Sequence, residues 1–342
     1  MYKESMRQTW VEIDLSALDH NIKEIKRVIG NNEIIGVVKA DAYGHGSVRC
    51  AKVLRDNGVK RFAVATIEEA LELREAGFNE SILILGLVPE DCTDIIIEQN
   101  LTIVIGSLDR AKKKSEIAMN KGAVIDCFIA IDSGMGRIGY RIETPLEKEF
   151  ARTEIEEIDE LEGLRINGMV SHFATSDEAD STYTNKQLSL FNDFYEELAG
   201  CGINVPMLCI ANSAAIMDYP KTHFDAVRPG IILYGCYPSE EVDKTRLDLK
   251  PVMSVKAYII HIKTVPAGTS ISYGRRFIAD RESKIATISI GYADGYSRTL
   301  TGKAEVLVHG HRVPVVGSIC MDQCMICLLY TSDAADDLLC VD

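Results

Sequence analysis

The sequence predicts an α/β fold, a (β/α)8 barrel of the TIM type followed by an all-β domain, and three observations carry that prediction. From residue 13 to about 235, a short β-branched run, a turn and a stretch of helical period alternate. Eight such runs occur, each apolar on both faces, as strands of a parallel sheet covered by helices must be. After about residue 240 the helical stretches stop, and β runs separated by tight turns take over. These changes place the barrel at 13–240 and the β domain at 1–12 together with 241–342.

The elements follow in order. "LSALDHNIKEIKRVIG" (15–30) has helical period and precedes the first barrel strand. The eight strands are "IIGVV" (34–38), "RFAVA" (61–65), "ILILG" (82–86), "LTIVI" (101–105), "AVIDCFIAI" (123–131), "INGMV" (166–170), "PMLCI" (206–210) and "DAVRP" (225–229). Between them "TIEEALELREAG" (66–77) shows a helix with a Thr cap, an acidic first turn and a closing Gly. "SEEVDKTRLDLKP" (239–251) is the predicted junction. Beyond it, "MSVKAYIIHIKTV" (253–265), "SKIATISIG" (283–291) and "KAEVLVHGHRVPVVG" (303–317) read as strands separated by "PAGTS", "ADG" and "TGK" turns.

Composition narrows the function classes. A chain of 342 residues that is 46% hydrophobic buries a large core. Its net charge of −14 repels phosphate backbones and anionic membrane surfaces, which argues against nucleic-acid and membrane partners. The one short basic run, "RAKKKSE" (110–116), reads as a solvated helix face. Apolar stretches such as "SILILGLV" (81–88) are too short to span a bilayer, and "MYKESMRQTW" has no signal-peptide core, so a cytoplasmic protein is expected. Ten cysteines scattered mostly in apolar runs suit buried thiols in a reducing compartment, not disulfides.

Barrels of this type carry their chemistry at the C-terminal ends of the strands. Lys39 ends the first strand, "IDSGMGRIG" follows the fifth, "SHFATSDE" the sixth, "ANSAA" the seventh and "RPGIILYG" the eighth. Each has a bland reading: a solvated lysine, a core histidine at His172, an ion-pairing Arg228, and plain turns. Taken together they also allow a lysine that bonds a carbonyl cofactor, opposite small residues whose backbone N–H groups cradle a phosphate, and so pyridoxal 5'-phosphate. A rival constellation is "HGHRVPVVGSICMDQCMIC" (309–327), with two histidines and a C-x2-C pair. Its histidines alternate with strand valines and no second close cysteine pair is present, so no metal site is expected.

At this point the motifs identify a resemblance. "VVKADAYGHG" (37–46), "IDSGMGRIG", "SHFATSDE", "ANSAA", "RPGIILYG", "SYGRRF", "IGYADGY" and "GSICMDQ" stand in the order found in bacterial alanine racemases, and the likeness runs from about Trp10 to about Met325. The resemblance implies that Lys39 holds pyridoxal 5'-phosphate as a Schiff base. It implies Tyr43, Ser213, Gly230 and Ile231 around the phosphate, and Arg228 at the pyridine nitrogen with His172 beside it. Arg137 would hold the substrate carboxylate, Met321 and Asp322 would line the substrate end, and Tyr292 the entrance.

Lys39 and Tyr273 would be the two bases, Lys39 acting on D-alanine and Tyr273 on L-alanine. A free tyrosine titrates near ~10, so cationic neighbours such as the His172–Arg228 pair are needed to favour its phenolate. Tyr273, Met321 and Asp322 would serve the partner's cofactor, making the enzyme a head-to-tail homodimer that supplies D-alanine for peptidoglycan.

Alternatives are a racemase of serine or another small amino acid, and a non-catalytic pyridoxal-phosphate carrier, against which the β domain with Tyr273 argues. A decarboxylase of like architecture is disfavoured by Arg228. Two departures stand out. Ala130 occupies a position where many family members carry a lysine that orients the neighbouring arginine, so Arg137 needs another partner. The end, "CLLYTSDAADDLLCVD" (327–342), departs from the family after about residue 326. It reads as truncated or out of frame, which predicts missing strands and an unpaired edge in the β domain, with Tyr330 given no role.

Overall fold

The structure, a computed structural model, describes residues 8–328 and the backbone of Leu338–Val341. Tyr330 and the rest of the 329–337 stretch lie outside the described residues. Two compact units are present, one of Asp14–Val252 and one of the flanking segments up to Ile13 and from Met253.

In the first unit all eight predicted strands form. They are β1 (Glu33–Val37), β2 (Arg61–Val64), β3 (Ser81–Ile84), β4 (Thr102–Ile105), β5 (Ile125–Asp132), β6 (Leu164–Val170), β7 (Leu208–Cys209) and β8 (Ala226–Val227). They pair in parallel in the order β8-β1-β2-β3-β4-β5-β6-β7. Between β7 and β8 single bonds replace a ladder: Leu208 N–H donates to Asp225 Oδ2 (2.8 Å) and Arg228 N–H to the Ala211 carbonyl (2.9 Å). The barrel is thereby nearly closed. Its interior is filled by Ile35, Ala63, Leu83, Val104, Phe128 and Cys209 among others, each large side chain contributing about 1.5–3 kcal/mol by burial. A Cβ at Gly168 would clash with the Phe128 ring, so this glycine makes the room that the phenylalanine fills.

The helices between strands begin where the caps predict. Asp14 Oδ1 accepts from the N–H groups of Ser16 and Ala17 (2.8 and 3.1 Å) to start Leu15–Ile29, and Thr66 with Glu69 forms a reciprocal capping box for Ile67–Glu75. The 239–251 stretch belongs to the barrel unit, because Asn21 holds both the Leu233 and Lys250 carbonyls and the Lys250 N–H. The unit boundary therefore falls after Val252 and not at residue 240.

The basic run at 110–116 is solvated only in part. Lys112 pairs with Glu157 and Lys113 with Asp109, but Lys114 is 2% exposed and its Nζ donates to the Pro89 carbonyl (3.1 Å). Helical period alone turns one residue in the run inward.

The second unit is a seven-stranded antiparallel sheet. Its order is Thr9–Ile13, Met253–Val265, Ser283–Ile288, Cys324–Cys327, His311–Val316, Glu305–Val308 and Leu338–Val341. Two expectations change here. The 303–317 run is a hairpin and not one strand, turning at His309 and Gly310, whose φ values are 51° and 77°. The backbone of Leu338–Val341 pairs with both Val255–Tyr258 and Leu307, so the edge expected to be open is covered and six strands form a circuit. Cys324 is buried in this unit's core beside Ile326 and Val313, and no described helix is long and apolar enough to cross a membrane.

Candidate active site

A cavity of about 620 Å³ opens in the barrel unit, and eight of the residues singled out in the sequence line it: Lys39, Tyr43, Arg137, His172, Ser213, Arg228, Gly230 and Ile231. They come from the ends of β1, β5, β6, β7 and β8, and only closure of the sheet brings them together.

Lys39 lies two residues past the end of β1. The next four residues, Ala40, Asp41, Ala42 and Tyr43, all lie in the left-handed region, with φ from 50° to 56°. Such a turn costs roughly 1–2 kcal/mol per residue and forms only when its surroundings over-determine it. Here Glu69 Oε1 accepts from the Ala40 N–H (2.7 Å), Asp41 Oδ1 from the Ser47 N–H (2.6 Å), and the Asp41 carbonyl from the Gly46 N–H (3.0 Å).

His45 stacks on Tyr234 at 4.6 Å, Tyr43 packs on the same ring at 5.1 Å, and Tyr234 Oη donates to the Val37 carbonyl (2.9 Å). Buried Tyr234 thus supports both Tyr43 and the strand that ends at Lys39. His45, which sequence leaves as a turn residue, is part of that support.

Tyr43, Ser213 and Gly230 converge. Gly230 N–H donates to Ser213 Oγ (3.0 Å), and a Cβ at Gly230 would stand 2.6 Å from Tyr43 Oη. Any other residue at 230 would push the tyrosine away, so close approach explains the glycine. Ser213 opens the short helix Ser213–Asp218, which Asn212 caps by accepting from the Ala215 N–H (3.0 Å).

Arg228 is 5% exposed and is clamped. Its Nη1 donates to the Cys209 carbonyl (2.7 Å) and to Cys209 Sγ (3.0 Å), and Nη2 to the Ser171 carbonyl (2.5 Å) and His172 Nδ1 (3.2 Å). Its Nε–H has no protein acceptor among the described residues, which leaves one donor for a ligand in the cavity that Arg228 lines. His172 is held from behind by Gln187, which donates to the His172 carbonyl (3.0 Å) and accepts from the Ala174 N–H (2.9 Å).

Arg137 projects from a loop whose start is fixed by Asp132 Oδ1, which accepts from the N–H groups of Gly134 and Gly136 (3.0 and 2.9 Å). Arg137 itself makes no hydrogen bond or ion pair among the described residues, and Ala130 stands in the same cavity wall.

Charge in this cavity is predominantly positive. Burial, then the neighbouring Arg137, then Arg228 push the Lys39 amine below its ordinary range, with Glu69 acting the other way. Burial pushes the Tyr43 phenol up. Burial, then Arg228, Arg137 and Lys39 push His172 down to about 3 from its ordinary 6.5. The folded value lies below the unfolded one, so the unfolded chain takes up the proton first as pH falls. Stability should therefore drop between pH 6.5 and about 3 with a contribution of at most about 1.4 kcal/mol per pH unit from this group. His172→Gln keeps an acceptor for Arg228, and denaturant titrations across that window should show a shallower loss; an unchanged slope would remove His172 as its source.

The other four residues lie in the β unit and form a loop cluster there. Tyr273 begins the short turn Tyr273–Arg275 and is 74% exposed; Tyr292, Met321 and Asp322 are also exposed. Ser318 ties the cluster, its Oγ donating to the Tyr273 carbonyl (2.8 Å) and its own carbonyl accepting from Ser272 Oγ (2.6 Å). The Tyr292 N–H donates to the Cys320 carbonyl (3.1 Å) and the Ala293 N–H to that of Met321 (2.9 Å). Each set is thus gathered within its own unit.

Sequence reasoning missed Glu69, Gln187, Tyr234 and Cys209 as supports. The one signal that could have found any of them is the Thr66–Glu69 spacing of a capping box.

Comparison with known proteins follows the same division. The family model for the alanine racemase N-terminal domain matches residues 13–238, and that for the alanine racemase C-terminal domain matches 252–339. Alanine racemase 1 of Clostridium acetobutylicum is 50% identical over 321 residues, covering 94% of this chain and 82% of its own length. Among solved structures, alanine racemase of Clostridium difficile 630 superposes with a TM-score of 0.90 at 40% identity, over 99% of this chain and 87% of that one. Alanine racemase of Bacillus anthracis with bound L-Ala-P gives 0.87 at 37% identity, over 98% and 85%. With both family models matched in order and half of 321 aligned residues shared with a curated relative, the chain belongs to the alanine racemase family.

Proposed function

We propose that this chain interconverts L- and D-alanine with pyridoxal 5'-phosphate, as a cytoplasmic homodimer with shared sites that supplies D-alanine for peptidoglycan. One observation carries the reading: a single cavity gathers a half-buried lysine, a tyrosine–serine–glycine cradle and an arginine with one unspent donor.

The donor set fits the cofactor. Tyr43 Oη, Ser213 Oγ and the backbone at Gly230 and Ile231 would hold its phosphate, Lys39 its carbonyl carbon, and Arg228 Nε–H its ring nitrogen. When bound, pyridoxal 5'-phosphate supplies an electron sink that acidifies the Cα–H of an amino acid. A guanidinium has donors only, so Arg228 cannot hold a proton on that nitrogen as a carboxylate would. Its fixed hydrogen bonds keep it from turning away.

Arg137, without a hydrogen-bond or ion-pair partner among the described residues, is available to a substrate carboxylate. The lowered Lys39 amine is uncharged more readily at neutral pH than an ordinary lysine, which suits a group that must accept a proton from D-alanine. Tyr273 would serve L-alanine on the opposite face. Its 74% exposure, with Met321 exposed nearby in the same loop cluster, supports a surface that a partner subunit covers.

Exchange of the Cα hydrogen in heavy water tests the reading. The purified chain with pyridoxal 5'-phosphate should exchange both alanine enantiomers and show visible absorbance from the bound cofactor. Exchange of L- and D-serine without alanine would move the substrate to serine. Absorbance without any exchange would sink the racemase reading.

A further inference from the structure

Glu69 lies outside the cavity lining but touches the chain immediately beside it. Its Oε1 accepts from the Ala40 N–H, the amide next to Lys39 (2.7 Å), while Oε2 accepts from the N–H groups of Ala65 (2.6 Å) and Thr66 (3.4 Å). One carboxylate therefore joins the end of β1 to the end of β2, and it does so at the first residue of the left-handed turn. Lys39 itself makes no side-chain hydrogen bond or ion pair among the described residues, so its direction depends on the backbone from which it projects.

The titratable and charged groups around Lys39 are Arg137 after β5, His172 and Asp177 after β6, Arg228 after β8, Asp41 and Tyr43 in its own turn, and Glu69. Asp41 is committed to the Ser47 N–H at the far end of the turn. Glu69 is the acidic group that acts on the Lys39 amine against the two guanidiniums.

We infer that Glu69 is a positioning residue for Lys39: its carboxylate anchors the backbone from which the amine projects and sets negative charge against Arg137 and Arg228. The inference rests on the reading of Lys39 as cofactor anchor and base, and it separates into a charge role and a tethering role. In the charge role, Glu69 keeps the amine from falling further out of the range in which it can hold a proton. In the tethering role, it holds the costly left-handed turn in register with β2.

Two substitutions divide these roles. Glu69→Gln removes the charge and keeps one acceptor oxygen in place of two, enough for Ala40 or for the capping box at Thr66 but not for both. Glu69→Asp keeps the charge but is one methylene short of Ala40. The first readout is the pH dependence of Lys39 acylation by acetic anhydride, followed by mass spectrometry on the full chain prepared without pyridoxal 5'-phosphate. The midpoint should fall by about one pH unit in Glu69→Gln and stay near wild type in Glu69→Asp. The second is the rate at which bound pyridoxal 5'-phosphate leaves, which should rise about tenfold in Glu69→Asp.

An unchanged acylation midpoint in Glu69→Gln overturns the charge role, which a merely structural residue would not have. An unchanged release rate in Glu69→Asp overturns the tether, and that measurement decides alone if Glu69→Gln does not fold. Acylation needs no turnover, so a wild-type chain inactive on alanine would remove the proposed function while leaving the charge role to be decided by its own result.

Discussion

Replacing Lys39 by alanine is expected to lower alanine racemisation by at least about 10³-fold, because it would remove both the proposed anchor for the cofactor and one of the two proposed bases. Tyr273→Ala should lose activity in both directions as well, since a racemase without one base cannot complete the transfer from either enantiomer. The two variants differ in a second property. Lys39→Ala should lose the visible absorbance of bound cofactor, whereas Tyr273→Ala should keep it, because Tyr273 lies in the β unit and not among the cavity residues.

Mixing them tests the shared site. If Lys39 of one chain works with Tyr273 of its partner, a heterodimer of the two variants contains one site with both residues lost and one with both intact. Verified heterodimers should then recover activity at one site in two. If each chain uses its own pair, no site is intact and no activity returns. Recovery below background in a heterodimer of proven composition would defeat the composite site, while the absorbance difference would still report on Lys39.

Arg228→Ala should be the most damaging substitution for the fold of the cavity. The side chain is buried, and its two Nη groups satisfy the carbonyls of Cys209 and Ser171, beside a weaker approach to that of Ile210 at 3.5 Å. Truncation strands these acceptors at the ends of β6 and β7, at a cost of roughly 2–4 kcal/mol in denaturant unfolding. It also removes the largest cationic neighbour acting on His172, so the folded imidazole should titrate closer to its ordinary value and the His172 share of the stability loss below pH 6.5 should shrink.

Arg228→Lys should recover part of the stability, because an ammonium can satisfy one or two of the carbonyls. It should not recover cofactor retention, since the planar fork that leaves Nε–H unspent is gone. An Arg228→Ala chain within about 0.5 kcal/mol of wild type would show that water replaces the guanidinium without loss.

The arrangement also bears on how Lys39 and Arg137 divide their work. Both stand in one cavity with Arg228, and mutual repulsion favours an uncharged amine and a guanidinium seeking an anion. With Ala130 in the wall and no acidic or polar partner on Arg137 among the described residues, a substrate carboxylate is the natural counter-charge for it. The preference follows from composition of the cavity, not from any one hydrogen bond.

The sequence by itself determined the barrel's eight strands, most of their helices and the strand ends from which Lys39, Arg137, His172, Ser213 and Arg228 project. Those features are written in local periods of two and 3.6 residues and in caps such as Thr66–Glu69, which need no knowledge of distant contacts. The candidate bases Lys39 and Tyr273, by contrast, are implied only by the resemblance of the motif order to alanine racemases.

Only the tertiary structure decided the rest. Ala40, Asp41, Ala42 and Tyr43 carry no glycine to announce four left-handed residues in a row, and the turn exists because Glu69, Ser47 and Tyr234 support it from elsewhere in the chain. Lys114 turns inward from a run that reads as solvated, and His309–Gly310 breaks what reads as one strand. Tyr234 lies 197 residues from the carbonyl it holds, and Gln187 reaches back to the His172 carbonyl from the next helix. A local pattern fixes which face a residue presents; which distant group meets that face is settled by closure of the barrel, where burial makes an unpaired donor or acceptor too costly to leave.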